Sequence, residues 1–209
     1  MEYRERILMG QFQDEPKYTL RTLLLAGIPA FITAIALSLF VHQFAHAVVV
    51  RTVCGQEVLS IRTVMNIEET QTGCPLASVA GPVATFAIAL GSFALFMRSP
   101  RNLFFASMAF VNASVRLPES LSAFFHLLFY QKPRLAVDES AIVDLLHFSD
   151  PTIPTVILCF FSLTLISLTI TVIHETKMVP WKWLVALGMF AAMFPLEKLL
   201  WAVIAPLAS

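Results

Sequence analysis

Charge is scarce in this chain of 209 residues. Asp, Glu, Lys and Arg together make up 13% of it, and 14 basic residues balance 14 acidic ones for a formal net charge of +0. Soluble domains carry about 25% charged and about 45–50% apolar residues. Here 57% of the chain is apolar and the mean hydropathy is +0.76. With no basic excess or basic patch, nucleic acid is excluded as a partner. Cysteine is scarce too: Cys54, Cys74 and Cys159 form no CxxC pair, which excludes a zinc ribbon and a disulfide framework. Cys54 and Cys74 bracket one segment and a bridge between them is open, but isolated thiols are the expectation. Five scattered histidines exclude a histidine-box di-iron oxidase such as a desaturase, whose histidines are clustered. The first apolar run follows about twenty polar residues and exceeds the roughly 7–15 residues of a signal-peptide core, so it does not read as a cleavable leader.

What is present in quantity is uncharged apolar sequence in long blocks. No charged residue occurs from Thr22 to Val50, and about 20 residues suffice to cross a bilayer. Pro29 is predicted to kink this span, and Arg51 closes it. Residues 52–73 change character: Val, Ile and Thr recur with partial alternation, which predicts short strands over 53–68, a hairpin at the membrane face. A second uncharged span covers 74–97, followed by the basic turn "RSPR". A third runs from Asn102 to Leu117, is interrupted by Pro118 and Glu119, and continues through "SLSAFFHLLFY" as a bent or re-entrant helix. Asp138, Glu139 and Ser140 then open an amphipathic segment, where acidic residues suit a helix N-terminus. A fourth span covers Pro151–Ile173 and a fifth roughly 181–206, with Glu197 and Lys198 read as a helix end or a neutralised pair. The expectation is an all-α, multi-pass integral membrane protein. It has about five transmembrane helices, a small β-hairpin-like segment after the first, a polar N-terminal segment (1–21) and a single transmembrane domain (22–209) in contact with the lipid bilayer.

Within the first span, "LFVHQFAHAVVVR" places His42 and His46 four residues apart. Positions i and i+4 share one helix face, so both imidazoles can point at one metal ion. In HExxH the glutamate is the general base beside a zinc-bound water. Here Gln43 takes that position. Polar groups inside a span are costly and are usually functional. The alternative is a pair of histidines hydrogen-bonded between helices. His126, His147 and His174 lack partners at ligand spacing and read as interfacial.

About 35 residues on, "ASVAGPVATF" opens the second span. Together with the His42–His46 helix it resembles the site-2 protease family of intramembrane zinc metalloproteases, in which an HExxH helix is followed by a short β region and a helix opening with an AGPxxN-like sequence. Ala80, Gly81 and Pro82 match, and Thr85 stands where the family has Asn. The family's third element, Asn and Pro followed by an Asp, corresponds to Asn112, Pro118 and Asp138. The Asn–Asp spacing is longer than usual and Glu139 replaces the usual Gly. The resemblance covers roughly residues 22–148. It implies a minimal transmembrane metalloprotease domain, with Zn²⁺ held by His42, His46 and Asp138. Glu119 is a rival third ligand. The resemblance also implies a fourth position for water or a substrate carbonyl, as catalytic zinc sites have. Asn112 is then a residue that orients substrate or a ligand; an interhelical hydrogen bond is its equal alternative. The implied partner is a membrane-spanning protein or peptide substrate. The strand-like segment 53–68 offers an edge onto which an unwound peptide could add as a strand; a structural hairpin sealing the membrane face is its equal alternative.

Gln43 is nearly isosteric with glutamate but takes no proton. It is the minimal change that removes the base, as in a variant inactivated on purpose. A natural zinc-binding pseudoprotease, or a non-enzymatic membrane binder, is the alternative. On five spans, eight basic residues on the N-terminal side against four on the other put the N-terminus in the cytoplasm, whereas the resemblance implies the reverse.

Overall fold

The computed structural model describes residues 20–57, 73–100, 102–115, 117–130 and 152–175, with single positions between 143 and 150 and between 188 and 203. Among these, every regular element is helical. A helical turn and a five-residue π-helix, Leu23–Gly27, lead into α1, Ile28–Thr52. Pro29 sits at the junction. It has no N–H for the carbonyl four residues back, and the wider π turn lets the helix pass this gap. α2 spans Pro75–Arg98, α3 Leu103–Ser114, α4 Leu117–Tyr130 and α5 Thr152–Glu175.

Three helical stretches are long and apolar enough to cross a membrane: Leu24–Thr52, Pro75–Arg98 and Thr152–Thr171. The third predicted span is two shorter apolar helices, broken between Ser114 and Leu117 ahead of Pro118. The strand expectation meets a helix end instead at its described margin: Val53 caps α1, and Gly55 takes φ 67°, the left-handed region that suits glycine at a helix stop. The chain turns there so that the Gln56 N–H reaches the Val50 carbonyl at 3.3 Å. Residues 58–72, the rest of the expected hairpin, lie outside the described residues.

The helices pack through small residues. α2 lies against α1 and α3, α1 against α3, and α5 against both α3 and α4. α3 is the centre of the bundle: all nine residues from Ala106 to Ser114 are buried. Phe31, Ala34 and Ile35 of α1 meet Met108, Phe110 and Val111 of α3. Met193, with Met189, Ala192, Leu196 and Leu200 beside it at helical spacing, packs on the same cluster. Ala89, Ala113 and Leu165 join α2, α3 and α5, next to a Phe86–Phe161 edge contact at 4.8 Å. Such small residues let backbones approach, which is how helices associate where lipid gives no hydrophobic drive. The outer faces carry Phe40, Phe44, Val83, Ile157 and Phe160, all exposed. A soluble protein rarely leaves so much contiguous apolar surface open; lipid is the medium that fits it. Three hydroxyls on α5 are satisfied within the helix, with Thr164, Thr169 and Thr171 donating to carbonyls four residues back at 2.8–2.9 Å.

The expectation of isolated thiols at Cys54 and Cys74 is corrected: the two form a disulfide, with Cα atoms 6.0 Å apart. The cause is the antiparallel pairing of α1 and α2. Cys54 follows the end of one helix and Cys74 caps the start of the other, so both stand at the same end of the pair, within the usual bridging range. Cys159 is a buried free thiol.

Candidate metal centre

The interior stripe of α1 runs Phe31, Ile35, Ser38, His42, His46 and Val50, three or four residues apart, opposite the exposed Phe40, Phe44 and Val48. On α2 the facing positions are Ala77, Gly81 and Thr85, again one turn apart. The two stripes meet at the histidines. His46 is fully buried, and its Nδ1 lies 2.6 Å from the Ala77 carbonyl oxygen. His42 Nδ1 lies 3.0 Å from Thr85 Oγ1. The Nε2 atoms of the two rings are 3.0 Å apart, with the ring planes nearly perpendicular at 82°.

These contacts fix the tautomers. A carbonyl oxygen only accepts, so His46 Nδ1 carries a proton. The Thr85 hydroxyl donates to the Gly81 carbonyl at 2.9 Å, so toward His42 it accepts, and His42 Nδ1 carries a proton as well. The Nε2–Nε2 separation is of hydrogen-bond length: with both Nδ1 atoms protonated, the gap suits one shared proton or, between neutral rings, a cation on which both lone pairs converge. Two Zn–N bonds of about 2.0–2.1 Å at a tetrahedral angle would separate the nitrogens by about 3.3 Å, a few tenths of an ångström from the arrangement seen. Nδ1–H groups anchored on a carbonyl and a hydroxyl are the outer support that metal-binding histidines ordinarily have.

Gly81 explains why the seam closes this far. A Cβ there would overlap His46 Nε2 and come 2.5 Å from His42 Cε1. Only glycine lets the imidazoles lie against the α2 backbone. One position on, Pro82 deletes a backbone N–H inside the helix. The Ala-Gly-Pro motif therefore builds the floor of the pair. The resemblance named the motif but not the contacts. The signal available was the spacing 77, 81, 85, which repeats the one-turn spacing of 42 and 46.

The other expected site residues fall as follows. Gln43 is buried, at 7% exposure, beside His42 on α1. Asn112 is buried on α3: its Oδ1 accepts at 2.9 Å from Ser38 Oγ, one turn before His42 on α1, and its Nδ2 donates to the Met108 carbonyl at 2.8 Å. Ser38 went unnoticed in the sequence, although it stands four residues before His42. Asp138 lies outside the described residues. Glu119 belongs to the first turn of α4. Among the described residues, no group of three or more His, Cys, Asp or Glu is placed to hold a metal ion; what is assembled is the two-histidine half of a site. No protein-family model, curated protein or solved structure matches the chain.

Proposed function

We propose that the chain is an intramembrane zinc metalloprotease of the site-2 protease type, with about five spans, held inactive as written by Gln43. The observation that carries this reading is the His42–His46 pair: two Nε2 atoms 3.0 Å apart, each ring anchored through its Nδ1. Both Nδ1 atoms face groups of α2, and the two Nε2 atoms face each other at a distance that a shared proton or a bridging metal ion would suit. The donor set fits zinc, which takes neutral imidazole in tetrahedral sites, and Asp138 is the third ligand in this reading.

Bound zinc supplies Lewis acidity, polarising a scissile carbonyl and acidifying a water. The chain's own residues do the rest. Ala77 and Thr85 hold the imidazoles in the ligating tautomer. Gly81 admits them to the seam. Buried apolar neighbours keep bulk water away. The side chain at 43 stands next to the pair, where a glutamate would accept a proton and pass it to the leaving amine, a transfer typically worth about 10²–10⁴-fold in rate. Glutamine keeps the shape and lacks that step, so the chain binds a membrane-spanning peptide and leaves it whole.

Gln43→Glu tests this directly. In detergent or liposomes it is expected to cleave a single-span substrate, with cleavage abolished by a zinc chelator, while the parent chain does not cleave. A Gln43→Glu protein that binds zinc through His42 and His46 but cuts none of a broad set of single-span substrates would favour a zinc-binding pseudoprotease.

A further inference from the structure

We infer that the His42–His46 site opens toward the non-cytosolic side of the membrane, where it takes the non-cytosolic half of a membrane-spanning segment, and that the Cys54–Cys74 disulfide is the clasp holding its two helices in register. This rests on the proposed metal-site reading for what the site does, but not for where it lies.

The disulfide is the first observation. It joins the end of α1 to the start of α2. Disulfides persist in oxidising compartments, whereas cytosolic thiols are kept reduced. The end of the bundle that carries Cys54 and Cys74 therefore faces away from the cytosol. Basic residues give a second, independent indication. In the sequence, Arg4, Arg6, Lys17 and Arg21 precede the first span and Arg98 and Arg101 follow the second, against Arg51 and Arg62 between the two. Cytoplasmic flanks carry the excess of Lys and Arg, so both observations assign the same orientation. It is opposite to the one the family resemblance implies.

Depth follows from helix geometry. His46 stands six residues before Thr52 and Ala77 two residues after Pro75, about 9 Å and about 3 Å along their helices at 1.5 Å per residue. His42, ten residues before Thr52, and Thr85, ten after Pro75, stand about 15 Å along, so the pair occupies the disulfide-side half of a hydrocarbon core about 30 Å thick and reaches its middle. A substrate segment is met there in its non-cytosolic half.

The clasp acts through Cys74. It is 1% exposed and packs with Ala47, Val50 and Ala77, and its carbonyl accepts the Ala77 N–H at 2.9 Å. Ala77 in turn holds His46. Opening the bridge frees the α2 start to slide against α1 at the turn that anchors the imidazole. Loss of an outer support of this kind weakens metal binding about 10–100-fold.

The experiment uses the full chain with Cys159→Ala, in intact cells or right-side-out vesicles. A membrane-impermeant reductant followed by an impermeant maleimide is expected to label Cys54 without breaching the membrane, and no labelling is expected without reductant. A Ser99→Cys variant, at the opposite end of α2, is expected to label only after lysis. Free thiols at 54 and 74 before reduction, or labelling of Ser99→Cys in intact cells, overturns the inference. In parallel, zinc affinity is compared between the oxidised protein, the same folded protein after reduction, and Cys54→Ala/Cys74→Ala; a drop of about tenfold or more is expected, and unchanged affinity in both opened forms removes the clasp. Labelling as expected in a chain that holds no zinc would defeat the metal reading while the orientation stands. Zinc held by His42 and His46 with reversed labelling would defeat only the orientation.

Discussion

His46 Nδ1 lies 2.6 Å from the carbonyl oxygen of Ala77, a residue on the neighbouring helix. That one contact forces the proton onto Nδ1 and leaves Nε2 aimed at His42. The rest of the site is a consequence of holding two imidazoles this way at the seam of two antiparallel helices.

Thr85 does for His42 what Ala77 does for His46, through a hydroxyl rather than a carbonyl. Thr85→Val keeps the volume and removes the acceptor. It is expected to weaken zinc binding about 10–100-fold, read by competition with a chromophoric chelator, while Thr85→Ser retains it. Parental affinity in the valine variant would show that Thr85 plays no supporting part.

Gly81→Ala places a methyl group where the imidazoles already are. Overpacking of this kind costs about 1–3 kcal/mol. A lowered thermal midpoint together with loss of zinc is the expected outcome; a variant matching its parent in both would mean the seam has room to spare.

The Ser38–Asn112 hydrogen bond joins α1 to α3 one turn from the histidines. Interhelical bonds of this type average about 0.6 kcal/mol and reach about 1.7. A double-mutant cycle of Ser38→Ala with Asn112→Ala, read in unfolding free energy, should return a coupling in that range. If Asn112 also orients substrate, Asn112→Ala on the Gln43→Glu background loses cleavage that Ser38→Ala keeps.

Acid should weaken the start of α5. The Asp150 carboxylate is held below its ordinary pKa by the Thr152 hydroxyl and then by the Thr152 N–H, which it accepts at 2.9 Å. A lowered folded-state pKa means that this stabilisation is complete above the ordinary carboxylate range and fades as pH falls through the lowered value. Asp150→Asn keeps an acceptor for the N–H but does not titrate, so its thermal midpoint should fall less than the parent's on acidification. Parallel acid profiles would contradict this.

The helical framework was legible because uncharged runs mark it. The spans expected at Thr22–Val50, 74–97 and Pro151–Ile173 correspond to helices Ile28–Thr52, Pro75–Arg98 and Thr152–Glu175, and the break at Pro118 separates α3 from α4. The His42–His46 pairing was legible from the one-turn spacing alone. The disulfide was not. A separation of 20 residues says nothing about whether two helix ends return to the same place. Thr85 was noticed only as a departure from Asn, because a hydroxyl's role depends on which ring nitrogen faces it across a seam. Of the strand expectation over 53–68, only the margin is described, and there the chain is still leaving α1; the alternation that prompted it, at Val58, Ser60, Arg62 and Val64, lies outside the described residues.

The most direct measurement is zinc content by elemental analysis of the purified chain, beside His42→Ala, His46→Ala and Asp138→Ala. About one equivalent in the parent is expected for a mononuclear site, with none in either histidine variant and a marked loss in the aspartate variant. Full retention in Asp138→Ala alone would move the third ligand to Glu119. Zinc absent from the folded parent, or present and unchanged when His42 and His46 are removed, would contradict the account at its centre.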